Sequence, residues 1–341
     1  MKSTVKLVAT LAVMVLAISA IADGPGYHVM NTFTLGGEGG WDYLTLDAIN
    51  RNLYISRGTH VIVMNADSGT VEGDIPDTAG VHGIALAPEL GRGFTSNGRE
   101  DTVTIFDMKT LKPVSKVKVG EGPDAILYDP ATKRVFTFNG KGHDSTAIDA
   151  TNGTVLGTIK LDGKPEFAAS DGAGNVFVNI EDKSELTEID SNKLQVKSTW
   201  PLAPCEEPSG LAIDAKNHRL FTGCHNEMMA IVDAGNGKII TTLPIGKGVD
   251  AAAFDPDTNL AFASCGDGHL TIIKEDSPDK FSAVENVATE EGARTMALDA
   301  KTHNVYLVTA KFGPPPAPTA EQPHPWHSIM PDTFAVLVVG K

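Results

Sequence analysis

Seven residues recur at intervals of 40, 42, 42, 43, 41 and 44 along the chain: Asp42, His82, Asp124, Glu166, Ser209, Asp250 and Arg294. Four carboxylates, an imidazole and a guanidinium brought to one place could hold a divalent cation through Asp, Glu and His donors. The same groups could orient a polar small molecule, or act as acid and base in a lytic or hydrolytic reaction. Polar residues at strand ends also satisfy backbone amides with no ligand involved, and that reading stays open beside the others.

The elements that would position these residues follow from the repeat itself. Each opening leads into a short apolar stretch, a polar turn and an aromatic-centred run, such as Leu53-Tyr54-Ile55-Ser56, Phe94-Thr95-Ser96-Asn97, Phe136-Thr137-Phe138-Asn139 and Leu220-Phe221-Thr222-Gly223. A third run often closes on Asp and a Gly-containing turn, as in Asp149-Ala150-Thr151-Asn152-Gly153. Short runs rich in Val, Ile, Thr and Phe, joined by tight turns, make antiparallel meanders. No sustained 3.6-residue apolar period follows the first twenty-odd residues, which disfavours a helical solenoid. Seven such units predict an all-β, seven-bladed β-propeller with four antiparallel strands per blade. A repeat architecture also distributes the core of a 341-residue chain over small units. The last unit lacks its outer strand, and Val29–Leu35 at the other end can supply it by pairing with 333–339. That closure removes an open sheet edge.

Met1 to Ala22 reads as a secretory signal, with Lys2 and Lys6, an apolar run from Leu7 to Ile21, and Ala20-Ile21-Ala22 before Asp23. The run is short for a membrane span, and no cysteine at the cleavage point offers a lipid anchor. Residues 23–341 then form one propeller domain, periplasmic or secreted, with no membrane insertion after cleavage. The net charge is −15, and −17 without the two leader lysines. This acidity argues against nucleic acid as a partner, because phosphate binding needs a basic groove. A small molecule or a periplasmic protein is the expected partner class.

Three cysteines leave one over in an oxidising compartment. Cys205 precedes the first strand of unit five and Cys224 ends its second, so the two lie side by side across a hairpin. Cys224–Cys265 is the competing pair, between neighbouring blades that diverge.

In a blade, the start of strand one, the turn after strand two and the connections between blades share one face. That face receives His60, His82, His143, His225, His269, His324 and His327, against His218 and His303 on the other. Beside the repeating seven it also receives Arg57, Asn97, Asn139, His225 and Thr309 from the ends of second strands. Asp42, His82, Asp124, Glu166, Asp250, Arg294, Asn97, Asn139 and His225 are therefore the candidate ligand-binding set, with His82 and His225 as metal ligands should a divalent metal ion be the cofactor. An insertion from Lys311 to Asp332 rises from the same face, stiffened by proline and carrying His324, Trp326 and His327 as a lid or docking surface. There is no phosphate-binding glycine loop, G-x-S-x-G elbow, H-E-x-x-H, EF-hand loop or C-x-x-C-H haem motif.

The aromatic runs Phe136-Thr137-Phe138-Asn139 and Phe94-Thr95-Ser96-Asn97, each introduced by Gly-x-(Asp/His) about a dozen residues earlier, carry a family likeness. They resemble the YVTN-repeat, YncE-like exported seven-bladed β-propellers, over residues 28 to 341. Unit four departs with Ile180, and units five and six with Cys224 and Cys265, where the repeat has Asn. The resemblance implies a propeller and an exported setting. It leaves function open, since such proteins stand beside quinoprotein dehydrogenases and c-type cytochromes or bind ligands, and related folds are lactonases or lyases. The leading expectation is an exported binding or scaffold propeller with its site on the histidine-bearing face. The alternatives are a lyase or lactonase using a cation at the channel mouth, and an accessory subunit of a periplasmic redox system.

Overall fold

A computed structural model describes residues 26–315 and 327–341; the proposed signal segment, His324 and Trp326 lie outside them. The chain forms seven four-stranded antiparallel sheets. Six run in sequence order, and the seventh has the order N-terminal strand, last strand, then the two strands before it. His28–Thr34 pairs with Ala335–Gly340, from His28 opposite Gly340 to Thr34 opposite Ala335. The ring is closed as the incomplete last unit requires, with the pairing starting one residue earlier than expected.

Burial explains why the repeat folds radially. In the second and third strands of each blade, side chains on both faces are buried, as in Arg134–Asn139 and Thr102–Asp107. The outer strands, such as Pro113–Lys118, keep exposed faces. Seven apolar clusters result, and each spans two neighbouring blades rather than filling one. Tyr54 of blade one meets Phe106 of blade two at 5.8 Å between ring centres, for example. The core therefore lies in the seams, because a flat four-stranded sheet has no interior of its own.

Cys205 and Cys224 form a disulfide with Cα atoms 5.5 Å apart. Cys265 is buried and free, and burial pushes its thiol up to about 12. That describes a packed, inert thiol.

Candidate functional site

The innermost strands do not begin regularly. In blades two to six the pairing slips just where the repeating polar residue stands, between Val81 and Ile84, Pro123 and Ile126, Pro165 and Ala168, Pro208 and Leu211, and Val249 and Ala251. A bulge frees a residue from the ladder and re-aims its side chain. Hydroxyls and an amide from the second strands lock these segments from blade to blade. Ser96 accepts the Gly83 N–H at 2.9 Å and donates to the Asp124 carbonyl of the next blade. Ser264 donates to the Arg294 carbonyl and Asn179 to the Ser209 carbonyl, while within blade one Ser56 accepts the Asp42 N–H.

The residues so aimed meet at the mouth of the channel with Asp42 and Arg294, which precede the first strands of blades one and seven. His82 Nδ1 lies 2.6 Å from Asp42 Oδ2 and 3.6 Å from Asp124 Oδ1. One donor atom from each of Asp42, His82 and Asp124 falls within 4.8 Å of the others, the single such group found among the described residues. Gly98 floors the imidazole: a Cβ there would stand 2.9 Å from both Cδ2 and Nε2 of His82. Nε2 is thus turned to backbone, and Nδ1 faces the carboxylates. On the other side Arg294 Nη1 holds Asp250 Oδ2 at 2.5 Å, with Ser209 Oγ at 3.4 Å from Asp250 Oδ1. Lys164 Nζ lies 3.2 Å from Glu166 and also bonds Glu181.

Crowded acids in a half-buried mouth resist ionisation. Burial and then the Asp124 charge push Glu166 up to about 8. Burial raises Asp250 to about 6 although Arg294 pulls the other way. Burial also raises Asp124, with His82 opposing. For His82, burial favours the neutral ring, but the hydrogen bond to Asp42 and the charges of Asp124, Asp42 and Glu166 outweigh it. The imidazole therefore holds its proton more tightly than usual.

Beneath the mouth, the next position in each repeat is Tyr43, Gly83, Ala125, Phe167, Gly210, Ala251 and Thr295. The rings of Tyr43 from blade one and Phe167 from blade four meet across the channel at 5.1 Å between centres. At Gly210 the neighbouring innermost strand comes so close that a Cβ would stand 2.5 Å from the Ala251 backbone. Burial, followed by the charges of Asp124, Glu166, Asp42 and Asp250, holds the Tyr43 hydroxyl well above its ordinary value. The mouth is a cup of charge over an aromatic floor.

Several expected members are placed elsewhere. Asn97 and Asn139 are fully buried and turned into their own blades. Asn97 takes Thr95 Oγ1 and donates to Thr102 and Thr104; Asn139 takes Thr137 Oγ1 and donates to Asp144 and Thr146. Their amides are occupied, so they brace second strands to third. His225 is not part of the Asp42–His82–Asp124 group and instead approaches Glu207 at 3.3 Å. Arg57 is buried beneath the loop it holds, donating to the Glu38 and Gly39 carbonyls and lying 3.8 Å above the Phe334 ring. Thr309 donates to the Glu291 carbonyl. The insertion starts as a short ribbon, with Phe312 bridged to Ile329 and packed 6.2 Å from Trp41, the neighbour of Asp42. His327 is exposed, its Nδ1 3.0 Å from the Gly313 carbonyl oxygen.

Lys164, Gly98, Tyr43 and Phe167 also belong to the site, outside the repeating polar column. Tyr43 and Phe167 sit directly after Asp42 and Glu166, so an odd aromatic in an otherwise small repeat position was the available signal.

No family model and no curated protein matches the chain. Solved structures do match in shape. A chain of Kuenenia stuttgartiensis hydrazine synthase superposes with a TM-score of 0.69 at 15% identity, covering 79% of this chain and 92% of that one. A chain from a mitotic checkpoint complex superposes with a TM-score of 0.72 at 13% identity, covering 100% of this chain and 98% of its own. At such identities the likeness is one of fold, and the protein is a seven-bladed β-propeller.

Proposed function

We propose that this protein is an exported binding propeller of the YVTN-repeat type, and that its ligand is a divalent cation held at the channel mouth. The observation that carries the reading is the meeting of Asp42, His82 and Asp124 from three successive blades, with donor atoms within 4.8 Å. Two carboxylates and one imidazole suit Mn²⁺, Fe²⁺ or Zn²⁺ better than Ca²⁺, which takes oxygen donors alone. The cation would displace the proton from His82 Nδ1, so affinity should fall as the pH drops. The predicted leader and the disulfide support export, since disulfides persist in oxidising compartments.

Calorimetric titration of chelator-treated protein with Mn²⁺, Zn²⁺ and Ca²⁺ tests this. Wild type should bind one transition-metal ion, and the double variant Asp42→Asn with Asp124→Asn should lose at least tenfold in affinity. His225→Ala should bind as wild type. Equal binding by the double variant, or none by wild type, overturns the reading. The second outcome also removes a lyase or lactonase relying on the same cation.

A further inference from the structure

At the opposite end of the innermost strands, Asp47, Asp129, Asp214, Asp255 and Asp299 are buried. Each accepts a main-chain N–H two residues on, from Ile49, Ala131, Lys216, Asp257 and Lys301. In four of the five, a side chain three residues on serves the second oxygen: Asn50 at 2.7 Å, and Thr132, Thr258 and Thr302 each at 2.6 Å. In three, the following blade adds a donor to that oxygen. Ser191 reaches Asp129 at 2.7 Å, His303 reaches Asp255 at 2.8 Å, and Arg51 reaches Asp299 at 2.6 Å.

Asp214 breaks the pattern. Its third residue on, Asn217, turns away and donates to Glu275 Oε1 of blade six at 2.8 Å. Glu275 occupies in blade six the position that Ser191 holds in blade four. Both donate their main-chain N–H to a carbonyl of the preceding turn, Ser191 to Gly174 and Glu275 to Asn259. The same position in the other blades with this turn contact is Ala66, Met108, Ala150 and Ala234. Glu275 is only 5% exposed, and its Oε2 is shut from solvent with no donor. Asp214, 3% exposed, stands within hydrogen-bonding reach of it. Asp214 takes the Lys216 N–H on Oδ1, and a proton on Glu275 would satisfy the shut-in Oε2 by bonding it to Asp214.

We propose that Glu275 is a carboxylic acid in the folded protein and donates its proton to Asp214, bridging blades five and six in a contact that opens as the pH rises. Glu275 does for Asp214 what Ser191 does for Asp129, but only while protonated.

The surrounding charges agree. Burial and Asp214 raise Glu275, while the Asn217 amide and Arg219 oppose without prevailing. Arg219 is engaged elsewhere, with the Pro278 carbonyl at 2.6 Å, Asp279 at 3.3 Å and Asp233 at 3.5 Å. On the hairpin of Glu275 itself, Lys274 and Lys280 pair with Asp276. Because the folded value is raised, the stabilisation is complete below the ordinary glutamate range and is lost as the pH climbs through the folded value.

The test compares wild type with Glu275→Gln, which keeps an N–H donor for Asp214 and cannot titrate. Chemical unfolding of both across pH 5 to 9 should show the wild-type unfolding constant rising relative to the variant. One linked proton allows at most about tenfold per pH unit. Groups at the channel mouth titrate in both proteins and cancel in the ratio. Should Glu275→Gln not fold, Asp214→Asn serves. Its amide donates to Glu275, so the protonated-carboxyl infrared band, to which Glu166 also contributes, should lose the component that Glu275 gives in wild type. A pH-independent ratio, or a wild type without a protonated carboxyl band sensitive to Asp214→Asn, overturns the proposal.

Discussion

Asp299 at the turn end of blade seven and Asp124 at the mouth end of blade three belong to equivalent innermost strands, yet their surroundings oppose each other. Asp299 receives Lys301 N–H, Thr302 Oγ1 and Arg51 Nη1. Burial disfavours its charge, but Thr302 and Arg51 outweigh that and hold the carboxyl below its usual range. Asp124 faces His82 and the charge of Asp42, and burial raises it. Around Asp299 the hydrogen bonds are complete and belong to folding. The mouth end is a set of incomplete ones, held in place by Ser96, Ser264 and Asn179 at a cost in electrostatic energy. Carboxylates kept together with too few partners are where a ligand would gain most.

The largest expected effect breaks the turn end. Asp299→Ala strips Arg51 of a partner at 2.6 Å and leaves a largely buried guanidinium with the exposed Asp67 and a 3.4 Å approach to the Tyr306 hydroxyl. Removing one member of such a pair costs about 3–5 kcal/mol, readable as a shift in the denaturation midpoint. Asp124→Asn at the mouth should cost less than about 1 kcal/mol or stabilise the protein, since it relieves like charge. Equal losses at the two ends would erase the distinction between them.

A smaller effect sharpens the mouth end. Gly98→Ala places a Cβ 2.9 Å from two atoms of the His82 ring, so the imidazole must leave the position in which Nδ1 meets Asp42 at 2.6 Å. Cation affinity should fall severalfold in calorimetry while the denaturation midpoint of the metal-free protein shifts little. Unchanged affinity would detach His82 from the site.

How much of this could be read from residues alone depends on the scale of the cause. The ring of blades follows from a period in residue type, and the closure from a missing strand, so both were legible. Cys205–Cys224 followed from hairpin geometry within one blade. Asn97 and Asn139 were misplaced because a strand-end polar residue can turn outward to the mouth or inward to its neighbours. The hydroxyls of Thr95, Thr104, Thr137 and Thr146 decided for inward. His225 shares a face with His82 but not a blade seam, and a face is too coarse a unit to define ligands. The bulges that aim Asp124 and Glu166 depend on register, which no single strand specifies. Glu275 carried a visible signal, an acid where sister units hold Ala, Met or Ser, but its meaning required the turned-away Asn217.

The smallest effect is the pH dependence of the mouth. Glu166 is pushed up to about 8 by burial and by Asp124, with Lys164 opposing at 3.2 Å. A folded value above the unfolded one means that protonated Glu166 contributes stability at acid pH and loses it as the pH rises through about 8. Its side chain remains 14% exposed, so solvent screening keeps the change modest. Carboxyl carbon NMR of metal-free protein should show Glu166 titrating far above an ordinary glutamate. Asp124→Asn should bring that midpoint down, because it removes the second-largest cause, and a bound cation should do the same by supplying the missing positive charge. A Glu166 midpoint in the ordinary range would mean that water relaxes the mouth as fully as the turn end is satisfied by protein, and the contrast between the two ends would then be one of partners rather than of energy.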